Sequence, residues 1–195
     1  MVPATNHHER VVVNGMSYSK RQAFHANSAV IVPVDVDDYG AKDPLAGVRF
    51  QDAIEAKAYS LSGAAFKAPA QRVADFLADR PTSELPKTSY ILGTTPVELR
   101  LVLPPAIIAG MKAAILHFDK RVPGFAGPDG VIIAPETRTT APLRFLRDDQ
   151  MNSTTVADLM PIGEGAGYAG GIISAALEGY RAAEVLVRRF SPEEA

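Results

Sequence analysis

The chain has 195 residues, 47% hydrophobic and 22% charged, enough for one sizeable core and ordinary for a globular protein. Its 20 basic and 22 acidic side chains leave a formal net charge of -2, which offers no electrostatic footprint for nucleic acid or an acidic membrane. It has no cysteine, so disulfides, thiolate nucleophiles and cysteine-ligated metal centres are excluded, and a reducing cytoplasm is the expected compartment.

In chain order, the first ten residues lack the apolar stretch of a signal peptide, and no apolar run approaches a membrane span. His7-His8 reads as a solvated pair rather than a metal site, and neither His25 nor His117 has ligand spacing to it. Residues 10–14 read as a short strand ending in the Asn14-Gly15 turn. The β-branched run 28–36 argues for a buried strand, with Pro33 marking an edge or a bulge. Asp35, Asp37 and Asp38 then break it, without the glycine and closing glutamate of a calcium loop.

A helix is expected over 47–62 with Gly63 at its C-terminal cap, and a second over 70–78 with Pro69 at its first position. Residues 80–95 carry Pro81, Pro86 and Gly93 and read as a loop. Pro104-Pro105 opens a helix to about Lys120, with Lys120 and Arg121 favourably placed at its C-terminus. Residues 131–134, 143–146 and 159–162 read as strands, and a last helix over 170–189 is rich in alanine and glycine. Separated strands with three to four helices predict an α+β fold of mixed and antiparallel strands, ending in a strand, a glycine turn and a helix.

That turn is the most informative stretch. Pro161-Ile-Gly-Glu-Gly-Ala-Gly-Tyr-Ala-Gly-Gly-Ile172 places five of the 15 glycines between Gly163 and Gly171. Glycines let backbone approach a ligand, and the N–H groups opening a helix lack intrahelical partners and carry the positive end of its dipole. A phosphate or the carbonyl edge of a flavin satisfies both; Glu164 suits a sugar or ribityl hydroxyl. The competing reading is a tight connection with no ligand. The usual dinucleotide fingerprint after an N-terminal strand is missing, its nearest match being Gly163, Gly165 and Gly167 at the wrong end of the chain. A second cluster, Arg138, Arg144 and Arg147, is either a ligand-fixing group, with Arg138 at a strand end, or an ion-pair network with Glu136, Asp148 and Asp149. The donor-rich loop from Asn14 reads as ordinary surface.

VNGMSYSKR (13–21), PLAGVRFQ (44–51), APAQRVADF (68–76), ETRTTAPLRFLRD (136–148) and PIGEGAGYAGGIISAALEG (161–179) together resemble the C-terminal part of a family of FAD-dependent dehydrogenases. The resemblance implies an inserted substrate domain over 1–150 and, over 151–195, a strand and helix that complete a FAD domain. It implies cofactor contacts from Gly163, Glu164, Gly165, Ala166, Gly170, Gly171 and Ile172, with Glu164 at the ribityl chain and Gly171-Ile172 beneath the isoalloxazine. Arg138 and the loop with Asn14, Met16 and Ser17 become candidates for the side of a small-molecule substrate. No catalytic acid or base is named, and no metal is expected. The family's N-terminal Rossmann half is absent from this sequence. That makes it the expected partner, with self-association and inactivity expected of the fragment alone. The alternative is a non-enzymatic α+β ligand-binding or interaction module that binds no flavin.

Overall fold

The computed structural model describes residues 1–4, 8–16, 19–20, 22–40 and 42–191. The fold is α+β. The chain divides into two compact units: residues 1–39 with 49–137, and residues 40–48 with 138–195.

The first unit is built on a three-stranded sheet. Its centre is β3 (Ala68–Arg72), parallel to β4 (Thr94–Pro96) with Ala68 opposite Thr94, and antiparallel to β5 (Val131–Ile133) with Gln71 opposite Ile132. The central place of β3 overturns the helix expected over 70–78. That stretch is strand to Arg72, and only Val73–Leu77 is helical (α3). Val73, Phe76 and Leu77 do have helical spacing, but two neighbouring strands capture the residues before them. Pro69 is therefore in the strand rather than at a helix start. It lies at the end of the β3–β5 ladder, where it only accepts, from the Ala134 N–H at 3.1 Å.

Two helices enclose this core. α2 (Ala46–Leu61) turns Ile54 and Ala58 inward and ends before Gly63, whose φ of +87° suits glycine. α4 (Pro105–Arg121) has proline at its first position, buries Ile108, Met111 and Ile115, and carries Lys120 and Arg121 in its last turn. Phe76, Leu99 and Val13 join the same cluster. β1 (Val2–Pro3) pairs antiparallel with β2 (Val13–Asn14), so the strand expected over 10–14 is a two-residue ladder. Residues 28–36 join no ladder; Val36–Tyr39 is a short helix, α1. Only the alternate residues Val30 and Val32 reach the core. Val32 rests on Gly110 of α4, where a Cβ would come within 3.0 Å of it.

In the second unit the main element is α5 (Ile172–Phe190). The strands expected over 143–146 and 159–162 are not ladders. Among the described residues the sole pairing there is an antiparallel bridge between Arg147 and Ser153. Loop bonds take up their backbone groups instead: Phe145 N–H donates to Ala166, and Thr154 and Ser153 donate to Leu146 and Leu159. Alternating apolar residues form a strand only where another strand lies alongside. Among the described residues no helix is long and apolar enough to cross a membrane.

Candidate functional site

The glycine turn, residues 163–167, has a fixed back and an open front. Gly167 N–H donates to Glu164 at 2.9 Å and Tyr168 N–H to Gly163 at 3.0 Å, closing two nested turns. At Gly167, φ is +82°, and a Cβ there would collide with the carbonyl oxygen of Leu143 and lie 2.9 Å from Cα of Arg144. Arg144 Nε donates to Gly167 O at 3.0 Å, and the Tyr168 hydroxyl to Phe145 O at 2.8 Å. The 143–147 stretch is thus the backing of the turn.

On the front, a Cβ at Gly163 or Gly165 would meet nothing within 4 Å. The N–H groups of Glu164, Gly165 and Ala166 donate to no described residue. Glu164 is exposed, and its carboxylate has no hydrogen bond or ion pair among the described residues. At the start of α5, Ser174 Oγ reaches back to the Gly171 N–H at 3.1 Å, occupying that donor. Ile172 and Ile173 are strongly exposed. The structure thus brings Gly163, Glu164, Gly165 and Ala166 into one turn, with Gly170, Gly171 and Ile172 leading into the helix after it. Open donors, an unpaired carboxylate and space for close approach fit a ligand with both hydroxyl and electron-rich carbonyl groups, such as a flavin nucleotide.

Arg147 holds this arrangement together. Its Nη1 donates to Pro161 O at 2.8 Å and to Glu178 Oε2 at 2.7 Å, and its guanidinium lies 3.6 Å from the centre of the Tyr168 ring. Arg144 lies on the same ring at 4.8 Å. The expected acidic partners therefore do not serve Arg147. Asp148 instead accepts the N–H groups of Gln150 and Asn152, and Glu136 accepts from Gly15 in the first unit. Glu178 was missed in the sequence, although it lies between Ala175 and Ala182 on the inward face of α5, where a charged residue needs a partner.

Hydrogen bonding from Arg147, reinforced by Arg181, outweighs burial and holds the Glu178 carboxyl below its ordinary value of 4.5. A carboxyl lowered in the folded state stabilises fully above that ordinary value and loses its contribution as pH falls through the lowered one. Glu178→Gln is expected to cost about 1–2 kcal/mol at neutral pH, as one weakened charge-assisted hydrogen bond. The gap between the two proteins should close on acidification below pH 4.5. Melting temperatures of both proteins across pH measure this; a pH-independent gap would reject it.

The substrate-side candidates lie apart in the chain's organisation. Asn14 uses its side chain locally, accepting the Met16 N–H at 2.9 Å, while Asn27 Nδ2 donates to Gly15 O at 2.6 Å. Met16 is exposed. Ser17 and His7 lie outside the described residues. Arg138 has partners of its own and belongs to the second unit, whereas Asn14 and Met16 belong to the first. Among the described residues no group of three or more His, Asp or Glu is placed to hold a metal.

The family described as FAD-dependent protein, C-terminal domain-like matches residues 1–139. An uncharacterized protein of Clostridium beijerinckii is 42% identical over 192 residues, covering 97% of this chain and 36% of the relative. The chain therefore spans about a third of that relative's length, and this likeness includes the glycine turn, which lies past the end of the family match. With its first 139 residues matched, the chain belongs to the FAD-dependent protein, C-terminal domain-like family.

Proposed function

We propose that this chain is the C-terminal part of a flavin-dependent oxidoreductase, a dehydrogenase acting on a small molecule in the cytoplasm. Its role is to supply the substrate-side domain and half of the FAD site. The observation that carries this reading is the open front of the glycine turn. The N–H groups of the exposed Glu164 and Gly165 and the Glu164 carboxylate are unpaired there, on a backbone fixed from behind by Gly167 and Arg144. Glu164 accepts from ribityl hydroxyls. The N–H groups left unpaired within this stretch, those of Gly165 and Ile172 foremost, hold and polarise the carbonyl edge of the ring; those of Gly167, Tyr168 and Gly171 are already taken. Bound FAD supplies the electron-transfer chemistry; the chain orients and tunes it. Arg138, and separately Asn14, Met16 and Ser17, are the residues assigned to the substrate side.

An N-terminal Rossmann segment supplies the other half of the site, in line with a relative of which this chain spans 36%. α5 has a face for it: Ile173, Leu177, Tyr180 and Val187 share one side of the helix and are exposed. We assign that face to the sheet of the preceding segment. In its absence the same face drives self-association, and the chain is inactive alone.

The test is FAD affinity in the longer polypeptide. Glu164→Ala is expected to weaken FAD about tenfold, roughly 1.4 kcal/mol, the worth of one charge-assisted hydrogen bond. Unchanged affinity would remove the role given to Glu164. A longer polypeptide that neither retains FAD nor changes its absorbance when FAD is added would favour an interaction module instead.

A further inference from the structure

We infer that Arg147 is the positioning residue of the glycine turn: it fixes the spacing between the N–H donors of the turn and those opening α5. The inference rests on the flavin reading only for the identity of the ligand that senses this spacing. Three contacts made by one guanidinium carry it. Pro161 O, accepted at 2.8 Å, stands just before the turn. The Tyr168 ring, 3.6 Å away, stands just after it. Glu178, at 2.7 Å, is on the second turn of α5. Entry, exit and helix are thereby referenced to one planar group.

That group is itself held. Arg147 forms the backbone bridge to Ser153, and the adjoining Asp148 N–H donates to Asn152 O at 2.8 Å. The side chain is 14% exposed and that of Glu178 7%, so little water reaches the pair. The Tyr168 hydroxyl is bonded to Phe145 O, which fixes the ring that Arg147 lies on. Among the described residues no other hydrogen bond or ion pair joins the turn to the helix; the link along the chain is residues 168–171, which include two glycines. Without Arg147 the two sets of donors have no common anchor.

Lysine separates this role from simple charge balance. It keeps the positive charge beside Glu178. An ammonium can meet Pro161 O and Glu178 from one nitrogen, as Nη1 does, but it lacks the plane that lies on the Tyr168 ring while doing so. Amide hydrogen exchange on this chain, without flavin, is the readout, with β3 and α4 as internal references. Arg147→Lys and Arg147→Met are both expected to raise exchange at least tenfold over 161–174, leaving β3 and α4 unchanged. Lysine rescue to the wild-type rate would overturn the inference, because charge alone would then suffice. So would an equal rise across the reference elements, which marks general destabilisation. Glu178→Gln, which keeps Arg147 on Tyr168 and Pro161, should raise exchange less than either.

In the longer polypeptide, Arg147→Lys is expected to weaken FAD at least tenfold. A loosened turn with unchanged FAD affinity would overturn the inference. If the wild-type longer polypeptide binds no FAD, the flavin reading fails, and the exchange rates decide the role of Arg147 by themselves.

Discussion

Gly167→Ala should cost about 2–4 kcal/mol, from a strained left-handed φ and a Cβ forced into a backbone neighbour. The neighbour is the Leu143 carbonyl and the Cα of Arg144, which cannot rotate away as a side-chain tip can. The segment is also pinned from both sides, by Phe145 N–H to Ala166 O at 3.2 Å and by Arg144 Nε to Gly167 O. Relief therefore requires the turn to leave its backing, and Tyr168 to lose its place beneath Arg147. Gly165→Ala is the matched control, since its φ is not positive and a Cβ there meets nothing within 4 Å. Unfolding of the two variants measured side by side should show a large loss for the first and less than about 1 kcal/mol for the second. Equal losses would mean that the turn is not packed as described.

The second large effect belongs to Gln71, a polar side chain in the central strand that is only 3% exposed. Its amide nitrogen donates to Arg80 O at 2.9 Å, and its amide oxygen accepts the N–H of Leu99, also at 2.9 Å. Leu99 is fully buried. Gln71→Leu keeps the volume and removes both bonds. The Leu99 N–H is then buried without an acceptor, and the expected loss is about 2–3 kcal/mol. Urea unfolding measures it. A loss below about 0.5 kcal/mol would show that the backbone at Leu99 finds another partner.

These two residues also show what could be read from the sequence. α4 was legible because its signals are local: prolines at the start, inward residues at helical spacing, and basic residues at the end. The end of α2 at Gly63 and the existence of α5 were legible for the same reason. β3 was not. Its partners are β4 and β5, far along the chain, while its own neighbourhood imitates a helix with a proline at the first position. Residues 28–36 show the converse: strand composition without a strand to pair with, so only Val30 and Val32 find burial. In the glycine turn, the sequence marked the place but not the division of labour. Gly167 is glycine because backbone passes behind it, and Gly163 and Gly165 face open space. Nothing in the spacing of Arg147 and Glu178, 31 residues apart, announces their pairing.

The second unit is discontinuous in sequence: residues 40–48 group with 138–195 rather than with the chain on either side of them. This orders events during synthesis. Residues 40–48 leave the ribosome well ahead of 138, and at about 5–20 residues per second they wait several seconds for their partners. During that interval Ala46–Val48 can already be helical as the first turn of α2, whose residues from Arg49 onward belong to the first unit. The first unit can thus complete its core before the second closes. The glycine turn is translated after the 143–147 segment that backs it, and before Glu178, which completes its anchoring through Arg147.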